Sequence, residues 1–363
     1  MRILQISSAR TFGGGERHFA ELCRGLQERG HEVFVALRPS NEWQDRLSFI
    51  PPENFLYVSI RNSFGMFSAK RIGNFLERKE IDIVHAHVAR DYIAASIAAR
   101  ISKRTSLVLT RHVMFPLKPF HKLALRNVDA AIAVSPAVEV QLAKIFPQRK
   151  LHVIPLGITV SNAAETVLAG RQFRTFHGIP QEAMVIGTLG ELKPLKGQMD
   201  FVLAANEIAK KYPDSYFVIT GSDHSADGSY RRELKRMVKI FGLEDRFLWL
   251  DWLEDTAVFY EALDIFVSPS HTESFGLAML EAMLRGRPVV ATATDGAIEL
   301  LGNTGVITPV KDPVGLKAGI ADLIDNERKR VAIGAELQIQ ANHRFSVDRM
   351  IDATEAVYRS IKK

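Results

Sequence analysis

The sequence predicts an α/β protein of two domains, each a doubly wound parallel sheet with helices on both faces. Three observations predict this fold. The chain has 363 residues, whereas single hydrophobic cores seldom grow past about 250–300 residues. Short β-branched runs alternate with amphipathic stretches along the chain, as they do in βαβ units. Several predicted strands are apolar throughout, for example residues 184–187 and 216–219, which is typical of parallel strands buried on both faces.

The predicted strands fall into two groups. In the first half they span residues 3–7, 32–37, 54–60, 81–87, 106–112, 130–135 and 151–155. In the second half they span residues 184–189, 215–220, 246–250, 265–268, 288–293 and 305–308. Amphipathic helices are predicted over residues 16–29, ending before Gly30, and over residues 347–361, where a helix closes the chain.

The domain boundary is placed after residues 153–157, because residues 158–169 contain no clear strand and many small polar residues. We therefore predict an N-terminal, acceptor-side domain over residues 1–160 and a C-terminal domain over residues 161–345. The last helix, within residues 346–363, is expected to pack back on the N-terminal domain. Two such Rossmann-like domains facing each other leave a cleft at the carboxyl ends of both sheets, where ligands of these sheets bind.

Composition indicates a cytoplasmic protein. The chain has one cysteine, Cys23, which excludes an internal disulfide, fits a reducing compartment and is expected to be buried. Its first residues predict a strand and not a signal peptide. No apolar run approaches the roughly 20 residues that span a bilayer.

Charge is distributed unevenly along the chain. Residues 1–160 carry 23 Lys and Arg against 13 Asp and Glu, a net charge of +10, and the remainder carry 24 against 28, a net charge of −4. The basic half could meet an anionic surface such as phospholipid, lipid-linked phosphate or nucleic acid. The alternative is dispersed, solvated charge.

The most informative stretch is residues 269–290. A predicted strand ends at Ser268, a turn carries Glu273, and a helix begins near Phe275. The free amides and the dipole at a helix start bind anions such as a diphosphate. Glu273 beside that start can accept hydrogen bonds from sugar hydroxyls, and Glu281, about one and a half turns into the helix, from a ribose diol. The alternative is that both are ordinary surface glutamates.

This stretch closely resembles the Glu-x7-Glu signature of retaining GT-B glycosyltransferases, glycosyltransferase family 4. The resemblance extends over nearly the whole chain. Further matching segments are the glycine-rich loop Gly13-Gly14-Gly15-Glu16-Arg17-His18, Gly30-His31-Glu32-Val33, Asp82-Ile83-Val84-His85-Ala86-His87, Ala133-Val134-Ser135, and Ala262-Leu263-Asp264-Ile265-Phe266-Val267-Ser268-Pro269-Ser270.

The resemblance implies a GT-B fold and roles for particular residues. Glu273 contacts the donor sugar, Glu281 contacts the nucleotide ribose, and Lys196 neutralises the donor phosphates. Backbone amides that meet the sugar and diphosphate belong to Ser274, Phe275, Gly276 and Leu277. On the N-terminal side, Gly14 and Gly15 lie in the loop beside the phosphates and the acceptor, and His112 bonds the donor sugar near the reacting carbon. From the residues alone, a solvated lysine, turn glycines and a strand-end histidine remain the alternatives.

The sequence departs from the family pattern at three places. Glu191 stands where the family usually has an arginine, and Lys193, two residues on, is the candidate substitute in the phosphate clamp. At the hinge, Leu156 and Thr159 replace an asparagine and an aspartate, which we expect to affect domain closure. Asp295-Gly296 stands where the family commonly has two glycines, but Glu299 is retained.

His85 and His87 lie on one face of a predicted strand, which raises the question of a metal pair. No third ligand is evident from the sequence, so we expect structural roles for both histidines. The resembling family needs no metal. We therefore expect neither a metal site nor a cofactor, with the nucleoside diphosphate sugar as substrate.

A candidate membrane-docking face mixes basic with apolar side chains. In residues 111–126 and 66–78 these are Arg111, Met114, Phe115, Leu117, Lys118, Phe120, Lys122, Leu123 and Arg126, with Met66, Phe67, Lys70, Arg71, Phe75 and Arg78. The alternative for each segment is a helix that packs one face on the sheet.

The expected function is a retaining, metal-independent hexosyltransferase. It uses a nucleoside diphosphate sugar, with a UDP-sugar favoured over a GDP-sugar, and a hydroxyl acceptor of the cell envelope such as a lipopolysaccharide core, lipid-linked oligosaccharide or exopolysaccharide precursor. The partners are thus a donor, a glycan or lipid-linked acceptor and an anionic inner-membrane surface, without nucleic acid. Alternatives are a nucleotide-sugar epimerase, a non-catalytic nucleotide-sugar-binding protein, a glycoside phosphorylase and a two-domain solute-binding protein, whose export signal is not evident.

Overall fold

The computed structural model describes residues 1–60, 65–160 and 163–363; the side chains of residues 163–167 and of Ala226 lie outside this description. The chain forms two compact units. The first comprises Met1–Thr159 and Phe345–Lys363, and the second comprises Val160–Arg344. These limits lie within one residue of the domain limits predicted from the sequence.

All strand pairings between the described residues are parallel. The strands of the first unit are β1 (Arg2–Ser7), β2 (Glu32–Leu37), β3 (Phe55–Tyr57), β4 (Ile83–Ala86), β5 (Ser106–Arg111), β6 (Ala130–Ala133) and β7 (Leu151–Val153). The strands of the second unit are β8 (Met184–Leu189), β9 (Ser215–Thr220), β10 (Phe247–Leu250), β11 (Ile265–Ser268), β12 (Val289–Thr292) and β13 (Val306–Thr308).

Helices connect these strands. They are α1 (Gly14–Glu28), α2 (Met66–Arg78), α3 (Tyr92–Ile101), α4 (His121–Ala124), α5 (Pro136–Leu142), α6 (Ala163–Phe176), α7 (Gln198–Lys211), α8 (Ser229–Ile240), α9 (Ala257–Ala262), α10 (Leu277–Leu284), α11 (Asp295–Leu301), α12 (Pro313–Asp325), α13 (Glu327–Arg344) and α14 (Val347–Ile361).

The two sheets share one topology. In the first unit the described strands have the order β3-β2-β1-β4-β5-β6-β7, and in the second the order β10-β9-β8-β11-β12-β13. Both contain the Rossmann order 3-2-1-4-5-6, in which the chain direction across the sheet reverses between the first and fourth strands. Ligands of such sheets bind at this switch point. The loops after β1 and β4, and those after β8 and β11, are therefore the expected ligand-binding loops.

Each predicted strand is present. β1 begins one residue before its predicted start, and every other strand end coincides with the predicted end or lies up to three residues inside it. α6 begins inside residues 158–169, where the sequence analysis found no clear strand and named no helix. Ser161 and Asn162 of that stretch lie outside the described residues. Part of the buried face of α6 is polar, because Arg174 donates to the carbonyls of Ala262, Gln181 and Ala183. A helix whose buried face is partly polar does not show the regular spacing of apolar residues that predicts helices from sequence.

The last helix completes the core of the first unit. Met350, Ile351, Val357 and Tyr358 of α14 are buried in the same cluster as Leu22, Cys23 and Leu26 of α1. The fit is close at Gly25, since a Cβ atom there would lie 1.9 Å from Cδ1 of Ile351. Among the described residues, no helix is long and apolar enough to cross a membrane.

Candidate functional site

Two charged side chains meet at the switch point of the second unit. Lys196 lies in the loop that follows β8, and Glu273 lies in the loop that follows β11. Nζ of Lys196 is 2.5 Å from Oε2 of Glu273, and their side chains are 27% and 19% exposed. The pair is therefore half-buried at the edge where ligands of this sheet bind.

Close backbone packing fixes the loops that carry this pair. Gly197 has φ +69°, and a Cβ atom on it would lie 1.9 Å from the carbonyl oxygen of Pro269. The amide of His271 donates to the carbonyl of Leu195 at 2.9 Å. Nε2 of His271 also lies 2.8 Å from Oδ2 of Asp200 on α7. Glycine at position 197 thus allows the two loops to touch and brings Lys196 to Glu273.

The helix that follows Glu273 begins later than the sequence predicted. Gly276 precedes the first helical residue, Leu277, and has φ +100°. The first four amides of a helix have no partner within the helix. Ser274 and Leu277 are half-buried, whereas Phe275 is only 3% exposed and anchors the turn. The amides of residues 274–277 therefore run along the turn and helix start, where the resemblance expects the diphosphate.

Glu281 is a buried carboxylate on an otherwise apolar helix. The residue is 5% exposed, and Oγ1 of Thr256 donates to its Oε2 at 2.8 Å. An exposed helical glutamate, the alternative reading of the sequence, is therefore wrong. Burying a carboxylate costs free energy unless hydrogen bonds compensate it. The hydrogen bond from Thr256 offsets part of this cost and holds the carboxylate in place within the second unit.

Lys193 does not join Lys196. Its ammonium group pairs with the carboxylate of Glu191, the residue that departs from the family pattern. Nε2 of the Gln198 side chain also donates to the backbone carbonyl of Glu191 at 3.0 Å. The charge of Lys193 is thus partly neutralised by its own loop, and Lys196 is the lysine that contacts Glu273.

The other departures have local structural accounts. A Cβ atom on Gly296 would lie 2.5 Å from the carbonyl oxygen of Phe275, so glycine is needed there, while Asp295 is exposed and tolerates a side chain. Glu299 pairs with Arg344 at 2.9 Å. Leu156 is buried, and Oγ1 of Thr159 donates to Glu21 of α1 at 3.2 Å.

The sequence-predicted residues of the first unit lie at its own switch point. Gly14 and Gly15 form the first turn of α1 after β1, and His112 follows β5. A Cβ atom on Gly15 would lie 3.9 Å from the His112 ring, so these two residues adjoin each other. The glycines thus belong to the helix start, and a longer side chain at Gly15 would meet the histidine.

His112 belongs to a cluster of four imidazoles, which the sequence analysis did not foresee. The ring centroids of His18 and His87 lie 5.0 and 5.9 Å from that of His112, and His85 lies 4.1 Å from His87. The sequence showed no third ligand beside His85 and His87, whereas the structure brings His18 and His112 next to His87. His18 was missed because it sits on the apolar face of α1. The proximity of His18 could have been inferred from the predicted topology, since the ends of β4 and β5 and the start of α1 share one sheet edge.

Burial keeps these imidazoles neutral at pH 7. It lowers the pKa of His85 to about 3 and, with the nearby positive charge of Arg111, lowers the pKa of His112 to about 4. The pKa values of His18 and His87 are also lowered well below the ordinary value, first by burial and then by neighbouring histidines. His85 has a structural role, since its ring nitrogens contact Tyr358 at 2.6 Å and Thr110 at 2.7 Å.

Several apolar side chains of the candidate docking face are exposed. Phe67 is 92% exposed at the start of α2, and Leu123 is 71% exposed on α4. Met66, Phe115 and Phe120 of these segments are also exposed. Two predicted members are wrong, because Phe75 is packed in the core and Arg111 is buried. Moreover, α4 is only four residues long, so residues 111–126 are mostly irregular.

Comparison with known families decides the assignment. Residues 171–338 match the family model described as glycosyl transferases group 1, and residues 12–162 match the model described as glycosyltransferase family 4. A lipopolysaccharide core biosynthesis mannosyltransferase of Rhizobium leguminosarum bv. viciae, LpcC, is 30% identical over 71% of this chain and 70% of its own length. The chain belongs to the group 1 glycosyltransferases.

Other relatives of this glycosyltransferase agree in length and architecture. A lipopolysaccharide core biosynthesis glycosyltransferase of Rhizobium meliloti, LpsE, is 23% identical over 94% of both chains. Among solved structures, HepE of Anabaena in complex with UDP and glucose superposes with a TM-score of 0.84 at 23% identity, covering 99% of this chain and 100% of that one. A glycosyltransferase from Rickettsia africae superposes with a TM-score of 0.86 at 20% identity, with 99% and 98% covered. These structures confirm the GT-B fold.

Proposed function

We propose that this glycosyltransferase moves a hexose-type sugar from a nucleoside diphosphate sugar to a hydroxyl of a cell-envelope glycan or glycolipid, with retention at the anomeric carbon. The observation that carries the proposal is the contact of Lys196 with Glu273 at the switch point of the second unit. It supplies a cation for a diphosphate and a carboxylate for sugar hydroxyls within one hydrogen-bond length. The buried Glu281, further along the adjoining helix, supplies the carboxylate for the ribose.

The proposed chemistry needs no covalent intermediate on the protein. The bond between the anomeric carbon and the phosphate oxygen breaks, and the acceptor oxygen bonds the same face of that carbon. The acceptor proton passes to an oxygen of the departing diphosphate. Lys196 and the amides of residues 274–277 stabilise the charge that develops on this diphosphate. Glu273 orients the sugar, and His112 has the role that the resemblance implies, a hydrogen bond to the donor sugar.

We favour UDP as the nucleotide and GDP as the second candidate. HepE, whose fold matches this one, was solved with UDP and glucose, and this supports the choice. Thermal unfolding with a panel of nucleoside diphosphates and their sugars tests it, because a ligand that binds the folded state raises the melting temperature. UDP is expected to stabilise the wild type and to have little effect on Glu281→Ala.

A matched control removes a carboxylate elsewhere in the second unit. Glu207 is an exposed residue of α7 that pairs with Lys210, and Glu207→Ala should retain the full nucleotide shift. A panel in which no nucleotide stabilises a folded wild type contradicts the donor site. Conversion of a nucleotide sugar without an acceptor would instead identify an epimerase, and binding without turnover would identify a non-catalytic protein.

The proposed acceptor is a lipopolysaccharide core or related glycolipid. Support comes from the relatives LpcC and LpsE, both named for lipopolysaccharide core biosynthesis. Transfer of radiolabelled sugar to defined lipopolysaccharide core acceptors tests this choice, and NMR of the product's anomeric configuration tests retention. Activity that is retained or increased after exhaustive chelation would support metal-independent transfer.

We further place the protein at an anionic membrane surface through α2 and the segment around α4. Exposed aromatic residues there, Phe67 and Phe115, stand among exposed Lys70, Arg71, Lys118 and Lys122. Amphipathic surfaces of this composition bind anionic bilayers through apolar insertion and charge attraction. Sedimentation with phosphatidylglycerol vesicles at low salt is expected for the wild type and strongly reduced for Phe67→Ser combined with Phe115→Ser. The matched variant Phe176→Ser, exposed in the second unit, should sediment normally.

A further inference from the structure

Three histidines of the first unit converge on one small volume. His18 comes from α1, His87 from the end of β4, and His112 from the end of β5. One ring nitrogen of each can be chosen so that all three lie within 4.8 Å of one another. The proposed transfer chemistry uses His112 alone, so it gives no reason for assembling the other two imidazoles around it.

The hydrogen-bond partners leave nitrogen lone pairs inside this cluster. Nε2 of His87 is 2.8 Å from Oε1 of Gln5, and a carboxamide oxygen can only accept, so Nε2 carries the proton and Nδ1 presents a lone pair. Nδ1 of His18 lies 3.1 Å from the thioether sulfur of Met350. The same argument assigns the proton of His18 to Nδ1 and a lone pair to Nε2.

These lone pairs are buried without a hydrogen-bond partner among the described residues. The unpartnered atoms are Nε2 of His18, Nδ1 of His87 and both ring nitrogens of His112. Buried polar atoms are normally hydrogen-bonded, and an exception in a native structure requires an explanation. Burial also lowers the pKa values of the three imidazoles, so that they are neutral at pH 7 and able to bind a cation.

We propose that His18, His87 and His112 form a binding site for a transition-metal cation, of which Zn²⁺ is the best match. Imidazole nitrogens bind Zn²⁺ at about 2.0–2.1 Å, and three histidines with an open fourth position are an established zinc geometry. At the tetrahedral angle, two nitrogens on one ion lie about 3.4 Å apart. Since the chosen nitrogens lie within 4.8 Å of one another, the rings must approach by up to about 1.4 Å to bind the ion. Gln5 supplies the outer hydrogen bond that orients a metal-binding histidine.

The metal site has a consequence that rests on the proposed function. Because His112 is also assigned to the donor sugar, an ion bound to His112 removes it from that role. Zn²⁺ should then inhibit sugar transfer, and chelation should restore it. The cation would act as a regulator of the transferase and not as its cofactor.

Zinc binding to the chelator-treated full-length protein tests the site directly. Titration of Zn²⁺ against a chromophoric chelator should show one equivalent bound by the wild type. His18→Phe and His112→Phe should each weaken binding at least tenfold. Gln5→Leu should weaken it about 10- to 100-fold, as loss of an outer hydrogen bond does at other zinc sites. His152→Phe, which removes a half-buried imidazole on β7 of the same unit, should bind like the wild type.

A second measurement does not depend on the folding of variants. Co²⁺ added to the wild type in place of Zn²⁺ should give the intense visible bands of a four-coordinate ion. No zinc uptake, uptake equal in His18→Phe and His152→Phe, or only the weak bands of hydrated Co²⁺ would each overturn the proposal. Zinc bound at the triad of a protein that transfers no sugar would uphold the metal site and contradict the proposed function instead.

Discussion

Nζ of Lys196 and Oε2 of Glu273 lie 2.5 Å apart although 77 positions separate the two residues in the chain. The contact joins the group assigned to the donor phosphates with the group assigned to the donor sugar. A diphosphate that binds Lys196 must compete with Glu273 for the ammonium group. Donor binding would thereby release the Glu273 carboxylate to accept hydrogen bonds from sugar hydroxyls. The ion pair between Lys196 and Glu273 would then be replaced by contacts of both side chains with the donor.

Lys196 should contribute far more to transfer than Lys193. Removing one preorganised group that stabilises developing charge typically costs about 10²–10³-fold in turnover, so Lys196→Ala should lose that much kcat/KM. Lys193 is held by Glu191, and Lys193→Ala should lose less than about fivefold, since an exposed pair contributes little. Steady-state transfer assays on the two variants make the comparison. Near-normal turnover of Lys196→Ala would remove this lysine from the phosphate site.

Gly197 should be intolerant of any side chain. It has φ +69°, and a Cβ atom there would lie 1.9 Å from the Pro269 carbonyl oxygen. Gly178, also in the second unit, has φ +68° with no described atom within 4 Å of an added Cβ. Gly178→Ala should cost only the left-handed conformation, about 1–2 kcal/mol, whereas Gly197→Ala adds the clash. Urea unfolding of both variants measures the difference, and equal losses would contradict the tight loop contact.

Tyr358 should link the last helix to the core of the first unit. Its hydroxyl lies 2.6 Å from Nδ1 of His85 and accepts from Nε2 of Gln5 at 3.1 Å. Tyr358→Phe leaves Nδ1 of His85 and Nε2 of Gln5 without this hydrogen-bond partner. The loss should lower the free energy of unfolding by about 1–3 kcal/mol. Tyr57→Phe, at a 37% exposed position of the same unit, should change it by less than about 0.5 kcal/mol. Thermal and urea unfolding provide the measurement.

Acid should destabilise the first unit through His85. Its pKa is about 3 in the folded chain against an ordinary 6.5, so the unfolded chain binds a proton between these values and the folded chain does not. The free energy of unfolding therefore falls as the pH is lowered from about 6.5 towards 3. His85→Asn does not bind this proton. Its free energy of unfolding should therefore change less steeply with pH than that of the wild type, by up to about 1.4 kcal/mol per pH unit. Urea unfolding from pH 7.5 to 4.5, with chelator present, measures both slopes.

A buried acid, Asp91, stabilises the folded chain as the pH falls, which is opposite to the effect of His85. Its effect is the same in the wild type and in His85→Asn. Burial raises the pKa of Asp91 to about 6, so Asp91 binds its proton more readily in the folded than in the unfolded chain. Its contribution to stability rises as the pH falls from about 6 towards 4. Because both proteins retain Asp91, the difference between their slopes belongs to His85. Equal slopes would show that His85 is protonated in the folded chain.

The sequence was sufficient for the positions of the strands along the chain and for the two-unit organisation, because apolar β-branched runs and amphipathic helices have distinct periods. It did not identify α6, whose buried Arg174 donates to carbonyls that only the fold brings near. The sequence placed Glu273 in a turn and singled out Lys196, but it did not show their contact, since that depends on the glycine at position 197. The imidazole cluster was missed because His18 reads as one residue of a helix face until β4 and β5 are placed beside α1.

The return of α14 to the first unit means that this unit is interrupted in the chain. Its core includes Met350 and Tyr358, so residues Val160–Arg344 form, in effect, an insertion within it. During synthesis, the second unit has its whole sequence available while the first still lacks its final helix. The residues of α14 must therefore be synthesised before the first unit can close, although most of that unit is translated before the second. Exchange of donor domains between relatives would accordingly require two junctions and not one.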